Sequence, residues 1–270
     1  MLGSIKLSLI ISTYNWPAAL NICLQSILIQ NRLPDEVIIA DDGSRSETAD
    51  LVSSFQTSFP VPLVHVWHPD EGFQLAAIRN KAILAAKHQY IIQIDGDLIL
   101  HPQFINDHLK LAQRGSFISG SRVLLASDFS QKILRSGKIP ALSELLWKGQ
   151  NRFNALHVPS LMRLFAPVYK RNQPYYVKGC NMSFWRDDLV TINGYNEAIT
   201  GWGREDNELA VRLINSGKSR LFIKFGAICF HLFHPVVSRE MEELNDQILS
   251  ETIINKIIAA PRGISDHHRK

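Results

Sequence analysis

Five short apolar runs, each separated from the next by a stretch of helical character, constrain this 270-residue chain more than any other feature. The runs are Leu7–Ser12, Glu36–Ala40, Val61–Trp67, Tyr90–Asp97 and Ser116–Arg122. Between them, a helix opens at Trp16-Pro17, where proline is tolerated in a first turn, and repeats Leu20, Cys23, Leu24, Ile27 and Leu28 at helical spacing. Glu47–Phe59, the alanine-rich Gln74–His88 and Pro102–Arg114 read as further helices. Short continuous apolar runs fit strands buried on both faces, and this alternation predicts an α/β fold with a mostly parallel central sheet flanked by helices.

In such a sheet the turns after successive strands open on one edge, where ligands bind. That edge gathers Thr13, Asp42, and the Asp95 and Asp97 pair that ends YIIQIDGD. Gly96 lets the backbone bend between the two aspartates. Hard oxygen ligands of this kind suit Mg²⁺ or Mn²⁺ completed by substrate phosphates. An ordinary Asp-Gly turn closing a strand is the simpler alternative. Asp42 is placed to accept a hydrogen bond from a base or ribose. Arg79, in the alanine-rich helix, reads either as a contact to a diphosphate through its planar fork or as a surface arginine.

Several functions are excluded. No G-x-G-x-x-G follows the first strand, where Ser12-Thr13-Tyr14-Asn15 stands, which argues against a dinucleotide site. Ser216-Gly217-Lys218-Ser219 mimics a P-loop end, but Arg212 occupies the required glycine position. There is no G-x-S-x-G and no H-E-x-x-H. The three cysteines are far apart and odd in number, which favours a reducing cytosol over a disulfide framework. No run of eighteen apolar residues spans a membrane, and the N-terminus reads as a core strand, not a signal peptide.

The rhythm fails between Leu124 and Tyr176, where short helices and a mobile loop over the site are expected. Segment 126–176 holds eight basic residues (Lys132, Arg135, Lys138, Lys148, Arg152, Arg163, Lys170, Arg171) against Asp128 and Glu144. It suits acidic headgroups, an anionic acceptor or phosphates, or it is a solvated loop. Nucleic acid is not expected, because no recognition module accompanies the charge. Farther on, Gly201-Trp202-Gly203 precedes Glu205-Asp206. An aromatic face stacks on sugar rings, and a carboxylate at a helix N-terminus is a candidate general base, although acids there are also plain capping chemistry. His231 and His234 follow a strand and are candidate metal ligands. Ser238–Ala259 reads as an amphipathic helix, and Pro261–Lys270 as a disordered tail.

SLIISTYN, DEVIIADDGS, GFQLAAIRNKAI and IIQIDGD, followed by KGCNMSFWRDDL, NGYNEAITGWGREDNELAVRL and CFHLFHP, cover most of residues 5–235 in order. With these motifs the chain resembles an inverting family 2 glycosyltransferase of the GT-A fold. It is similar to bacterial polysaccharide and lipopolysaccharide transferases with a galactosyltransferase-like C-terminal region.

The resemblance implies a single domain over residues 1–235. Residues 1–122 would bind a nucleotide-sugar, and 123–235, with basic loop 126–176, the acceptor. Residues 236–270 would add a helix and tail. It implies a UDP-sugar donor (a hexose or N-acetylhexosamine), Mn²⁺ or Mg²⁺, and a glycan or glycolipid acceptor in cell-surface polysaccharide or lipopolysaccharide synthesis. Asp42 would contact uracil with Thr13 and Tyr14 nearby, and Arg79 would lie close to the nucleotide. Asp97 would ligate the metal, with Asp95 touching ribose or metal. His231 would complete the metal site, with His234 in reserve. Asp206 would be the base, with Glu205 beside it and Trp202 and Gly203 binding acceptor. A nucleotidyltransferase and a non-catalytic sugar-nucleotide scaffold are the competing readings. The protein is expected in the cytoplasm, with the basic loop or the C-terminal helix as candidates for docking on the inner leaflet of the membrane.

Overall fold

The computed structural model describes residues 5–235 and 239–267. The first half alternates as the apolar runs predict: β1 (Leu7–Thr13), α1 (Pro17–Leu28), β2 (Glu36–Asp41), α2 (Ser46–Gln56), β3 (Leu63–Trp67), α3 (Leu75–Ala85) and β4 (Tyr90–Asp95). β5 (Leu98–Leu100), α4 (Phe104–Leu111), β6 (Ser116–Gly120) and β7 (Val123–Leu124) follow. The irregular segment forms α5 (Ser127–Ser136), α6 (Leu142–Lys148), a 3₁₀ turn (Arg152–Ala155) and α7 (Pro159–Phe165). The chain closes with β8 (Asn181–Trp185), α8 (Arg186–Thr191), α9 (Glu205–Asn215), β9 (Ser219–Ile223), β10 (Cys229–His231), α10 (Glu242–Ile254) and a second 3₁₀ turn (Ile264–His267).

Strands alternate their side chains between two cores, which is why the runs are apolar at every position. Leu7, Leu9 and Ile11 face one core with Val37, Ile39, Ile92 and α1. Ile10, Ile38 and Ile91 face the other, built on α3, α8 and α9. The seven-stranded sheet runs β3-β2-β1-β4-β8-β6-β9. All its pairings are parallel except those of β8 with β4 and β6.

The insertion of β8 departs from the simple alternation: β6 does not lie beside β4, although it follows it in sequence. Two antiparallel pairings leave β6 parallel to β4, so its carboxyl end still opens on the same edge. A second sheet, β5-β10-β7, lies at that edge. It brings residues just after β4 to the C-terminal part of the chain.

The C-terminal region differs from expectation. α10 covers less than Ser238–Ala259, and Ser238 lies outside the described residues. It docks through polar Asn245 and Thr252, both buried, while Leu244 and Ile254 face solvent. Thr252 donates to Glu208, whose buried carboxylate forms a bidentate pair with Arg212 at 2.8 Å. Polar pairing and the half-buried Ile248, Leu249 and Ile253 together seat this helix against the domain. Of the tail expected to be disordered, residues 261–267 are anchored through buried Gly263 and Ile264, and 268–270 lie outside the described residues. Ile264 is buried in the α3 core, and Gly263 approaches the Asn193 carbonyl where a Cβ would lie 2.0 Å away. A backbone contact that only glycine permits leaves no apolar signature, so the tail reads as polar.

Candidate active site

The edge expected from the strand order exists. Thr13 pairs with Asp41 and Ser12 with Asp95, while Asp42 N–H donates to the Thr13 carbonyl and Gly96 N–H to that of Ser12. Asp42 is buried, with Oδ1 2.7 Å from His68 Nε2 and Oδ2 accepting from Gln74 N–H at 3.0 Å. Each oxygen keeps a lone pair, so Asp42 anchors the start of α3 and retains capacity toward a ligand. Thr13 is buried beside Gly96, whereas Tyr14 is exposed and donates its hydroxyl to Asp70 at 2.8 Å.

Arg79 is the connection between the two halves of the chain. It is 1% exposed, not a surface residue. Nε donates to Ser12 Oγ at 3.1 Å, Nη2 to Asp95 Oδ1 at 3.1 Å, and Nη1 to Asp206 Oδ1 at 3.0 Å. Burial opposes the guanidinium charge, but Asp206, Asp95 and Glu205 outweigh it and keep Arg79 ionised. The Tyr195 hydroxyl lies 3.0 Å from the same Asp206 oxygen and 2.9 Å from Gln93 Oε1. Asp206 is thus oriented through Oδ1, while Oδ2 rests against Gly179.

α9 places the Glu205-Asp206 pair, and the turn before it is conformationally unusual. Gly201 (φ 69°), Gly203 (φ 105°) and the non-glycine Arg204 (φ 77°) all adopt left-handed backbone. α10 holds this turn: Asn245 Nδ2 donates to the Thr200 and Gly203 carbonyls, both at 3.0 Å, and Arg204 pairs with Asp246. Trp202 is partly exposed, with the Arg239 guanidinium 5.0 Å above its ring. Glu205 Oε2 is buried without a partner among the described residues. Burial, and next the Asp206 charge, push the Glu205 carboxyl up to about 8, against the opposing pull of Arg79.

Asp95 and Asp97 diverge. Asp95 turns to Arg79, whereas Asp97 meets both histidines: Oδ2 lies 3.4 Å from His231 Nε2 and 3.4 Å from His234 Nε2. The antiparallel pairing of β10 with β5 and the Leu232 N–H to Asp97 carbonyl bond at 3.0 Å create this meeting. Ligand atoms of Asp97, His231 and His234 lie within 4.8 Å of one another, and Asp95 is not part of this cluster. Asp97 Oδ1 is buried with no hydrogen-bond partner among the described residues. Burial and then the Asp95 charge push Asp97 up to about 8. Burial and then Arg122 hold His231 down to about 3, in the neutral form that can ligate. An orphaned carboxylate oxygen and two imidazoles fit a divalent cation, and the nitrogen donors favour Mn²⁺ over Mg²⁺.

Arg122 is the site residue that the sequence reading missed. It makes no ion pair among the described residues, and Nη1 contacts only Cys180 Sγ, at 3.7 Å. Its charge nevertheless acts on Asp95, Asp97 and His231. The signal was available: Arg122 stands two residues beyond β6, on the edge that collects the other site residues. The arrangement offers a carboxylate with one oxygen free of hydrogen bonds, a cluster of candidate metal ligands and a guanidinium without an ion pair among the described residues, around one edge. Such a set could accept a proton at the carboxylate and stabilise growing negative charge at its cationic positions.

Residues 8–167 match the family described as glycosyl transferase family 2, and residues 161–235 match the one described as the N-terminal domain of galactosyltransferase. The chain is 28% identical to the chondroitin synthase of Escherichia coli over 259 residues, covering 87% of this chain but only 36% of that protein. Among solved structures, residues 1–349 of Staphylococcus aureus TarS in complex with UDP superpose with a TM-score of 0.64 at 14% identity, covering 97% of this chain and 68% of that one. The mannosyltransferase PcManGT from Pyrobaculum calidifontis, in complex with GDP-Man and Mn²⁺, gives 0.58 at 16% identity, covering 94% and 63%. The GT-A architecture expected from the motifs is therefore the one observed, and the chain belongs to glycosyl transferase family 2.

Proposed function

We propose that this protein is a metal-dependent inverting glycosyltransferase, moving a hexose or N-acetylhexosamine from a UDP-sugar to a saccharide acceptor in cell-surface polysaccharide synthesis. One observation carries the reading: a single buried guanidinium, Arg79, grips Asp95 of the nucleotide-side edge and Asp206 of the acceptor-side helix together. Donor and base are thereby held in one register. Residues 1–122 bind the nucleotide-sugar in this reading, and 123–235 the acceptor.

Asp206 Oδ2 takes the proton of the acceptor hydroxyl as that oxygen attacks the anomeric carbon. Attack opposite the departing diphosphate inverts the configuration in one displacement. Asp42 faces the nucleotide base, with Thr13 and Tyr14 beside it. Trp202 stacks on the acceptor ring, and Gly203 lets its loop fit. Glu205, protonated at neutral pH, donates to an acceptor oxygen. Arg122 neutralises charge growing on the diphosphate. Asp97, His231 and His234 would hold Mn²⁺, which when bound supplies Lewis-acid stabilisation of that diphosphate. The UDP and GDP-Man complexes of the two structural neighbours support a nucleoside-diphosphate donor without deciding the base.

The test is calorimetric titration with UDP and GDP, in Mn²⁺ and then EDTA, together with turnover by Asp206→Asn. Metal-dependent UDP binding is expected, and Asp206→Asn should lower kcat by about 10²–10⁴-fold with donor affinity kept. Near-normal turnover by Asp206→Asn would remove the base assignment. Binding of nucleoside triphosphates alone would replace the transferase reading with a nucleotidyltransferase.

A further inference from the structure

A helix on a protein surface normally turns its apolar stripe inward. α7 satisfies this with Met162, and the turn after it with Ala166; both are buried, and the Ala166 carbonyl accepts from Phe222 N–H at 2.9 Å. Its other side is also apolar. Leu161, Leu164 and Phe165, with Val168 just beyond the helix end, recur at i, i+3, i+4 and i+7; Leu164 is 66% exposed, while Phe165, partly exposed, packs edge-on against Phe225. Earlier in the same segment Trp147 is 68% and Phe153 79% exposed. The sequence holds no acidic residue between Glu144 and Asp187, so every charge the segment itself carries beyond Glu144 is positive, and Glu144, one turn before Trp147 on α6, is paired with Lys132 at 3.2 Å. Arg152 lies over the Trp147 ring at 4.7 Å, and Arg163 projects from α7 into solvent. The segment is anchored to the domain. His157 Nε2 lies 2.8 Å from buried Asp107, and Val158 N–H donates to the Phe225 carbonyl at 2.9 Å.

We propose that the segment Trp147–Arg171 docks this protein peripherally on an anionic lipid bilayer. Exposed aromatic and aliphatic side chains enter the acyl boundary, while arginine and lysine remain at the headgroups. Charge complementarity selects this occupant, because a segment whose own charges are all positive repels a second copy of itself and matches phosphate-bearing headgroups. Among the described residues no helix is long and apolar enough to cross a membrane. This docking does not depend on the reaction proposed above.

The test is sedimentation with phosphatidylcholine vesicles, with and without phosphatidylglycerol, at low and high salt. The protein is expected to sediment with the anionic vesicles at low salt and to be released by salt. The combined variant Trp147→Ser, Phe153→Ser, Leu164→Ser should lose at least tenfold in partitioning, with UDP binding kept. Arg163→Glu alone, a fully surface change that leaves the fold intact, should lower partitioning about fivefold or more. No binding to anionic vesicles at low salt would overturn the proposal. So would unchanged partitioning in Arg163→Glu, or a concentration-dependent dimer that disappears in the triple variant.

Discussion

Gly179→Ala isolates what orients the proposed base. A Cβ at Gly179 would lie 1.6 Å from Asp206 Oδ2, 2.3 Å from its Cγ and 2.7 Å from Oδ1, where real contacts stay beyond 3.0 Å. The carboxylate must retreat by about 1.4 Å to restore the contact (3.0 less 1.6). Its bonds to Arg79 Nη1 and the Tyr195 hydroxyl, both 3.0 Å, cannot survive a movement of that size in most directions. Gly179 does not have left-handed backbone, so alanine introduces only the clash. The lost chain entropy of glycine in the unfolded state offsets part of an overpacking cost of about 1–3 kcal/mol, and the fold should persist. A misplacement near 1 Å costs about 10²-fold in rate, equivalent to about 2.7 kcal/mol of barrier. The assay is UDP release at saturating donor and acceptor, with UDP affinity measured separately. We expect kcat to fall by about 10²-fold or more with UDP affinity unchanged. Wild-type kcat in a folded Gly179→Ala would refute the role of Asp206 Oδ2.

Further outcomes follow from other contacts. Asn245→Ala leaves the Thr200 and Gly203 carbonyls without their donor; it should cost about 1–3 kcal/mol in urea unfolding and raise acceptor KM more than donor KM. Equal effects on both KM values would make α10 a scaffold only. Asp97→Ala should abolish Mn²⁺ binding in calorimetry, and His231→Ala and His234→Ala should each weaken it; undiminished affinity in Asp97→Ala would place the cation elsewhere. Because the Glu205 carboxyl titrates near 8 when folded and near 4.5 in its ordinary state, the native protein holds the extra proton between those values. Stability should therefore fall as pH rises through that window, and Glu205→Gln should lessen the fall. A parallel pH profile in the variant would contradict the burial of that carboxyl.

The nucleotide-side half was legible because its signals are local. Apolar runs buried on both faces mark β1, β2 and β4, and strand polarity alone carries Thr13, Asp42 and Asp95 to one edge. Asp206 was legible too, since an acidic pair after Gly-Trp-Gly opens a helix. Arg79 was noticed as odd in the middle of an alanine-rich helix, but its three-way grip was not readable, because Ser12, Asp95 and Asp206 come from separate elements. His231 and His234 looked like alternatives in sequence; β10 pairing with β5 brings both to Asp97. The packed residues 261–267 were missed because Gly263, a residue without a side chain, makes the decisive approach.

Periodicity and strand polarity depend on neighbours a few residues apart, so the order of amino acids is enough to set the α/β class, the candidate edge and the residues gathered on it. Which of those residues touch depends on pairings between distant segments: β8 inserted between β4 and β6, β10 against β5, and α10 on α9. It takes the packing of the whole chain to part Asp95 from Asp97, to join the two halves through Arg79 and to hold the Trp202 loop with polar Asn245. Those outcomes arise from buried charges and backbone groups finding partners, a requirement that acts through space and leaves no period in the chain.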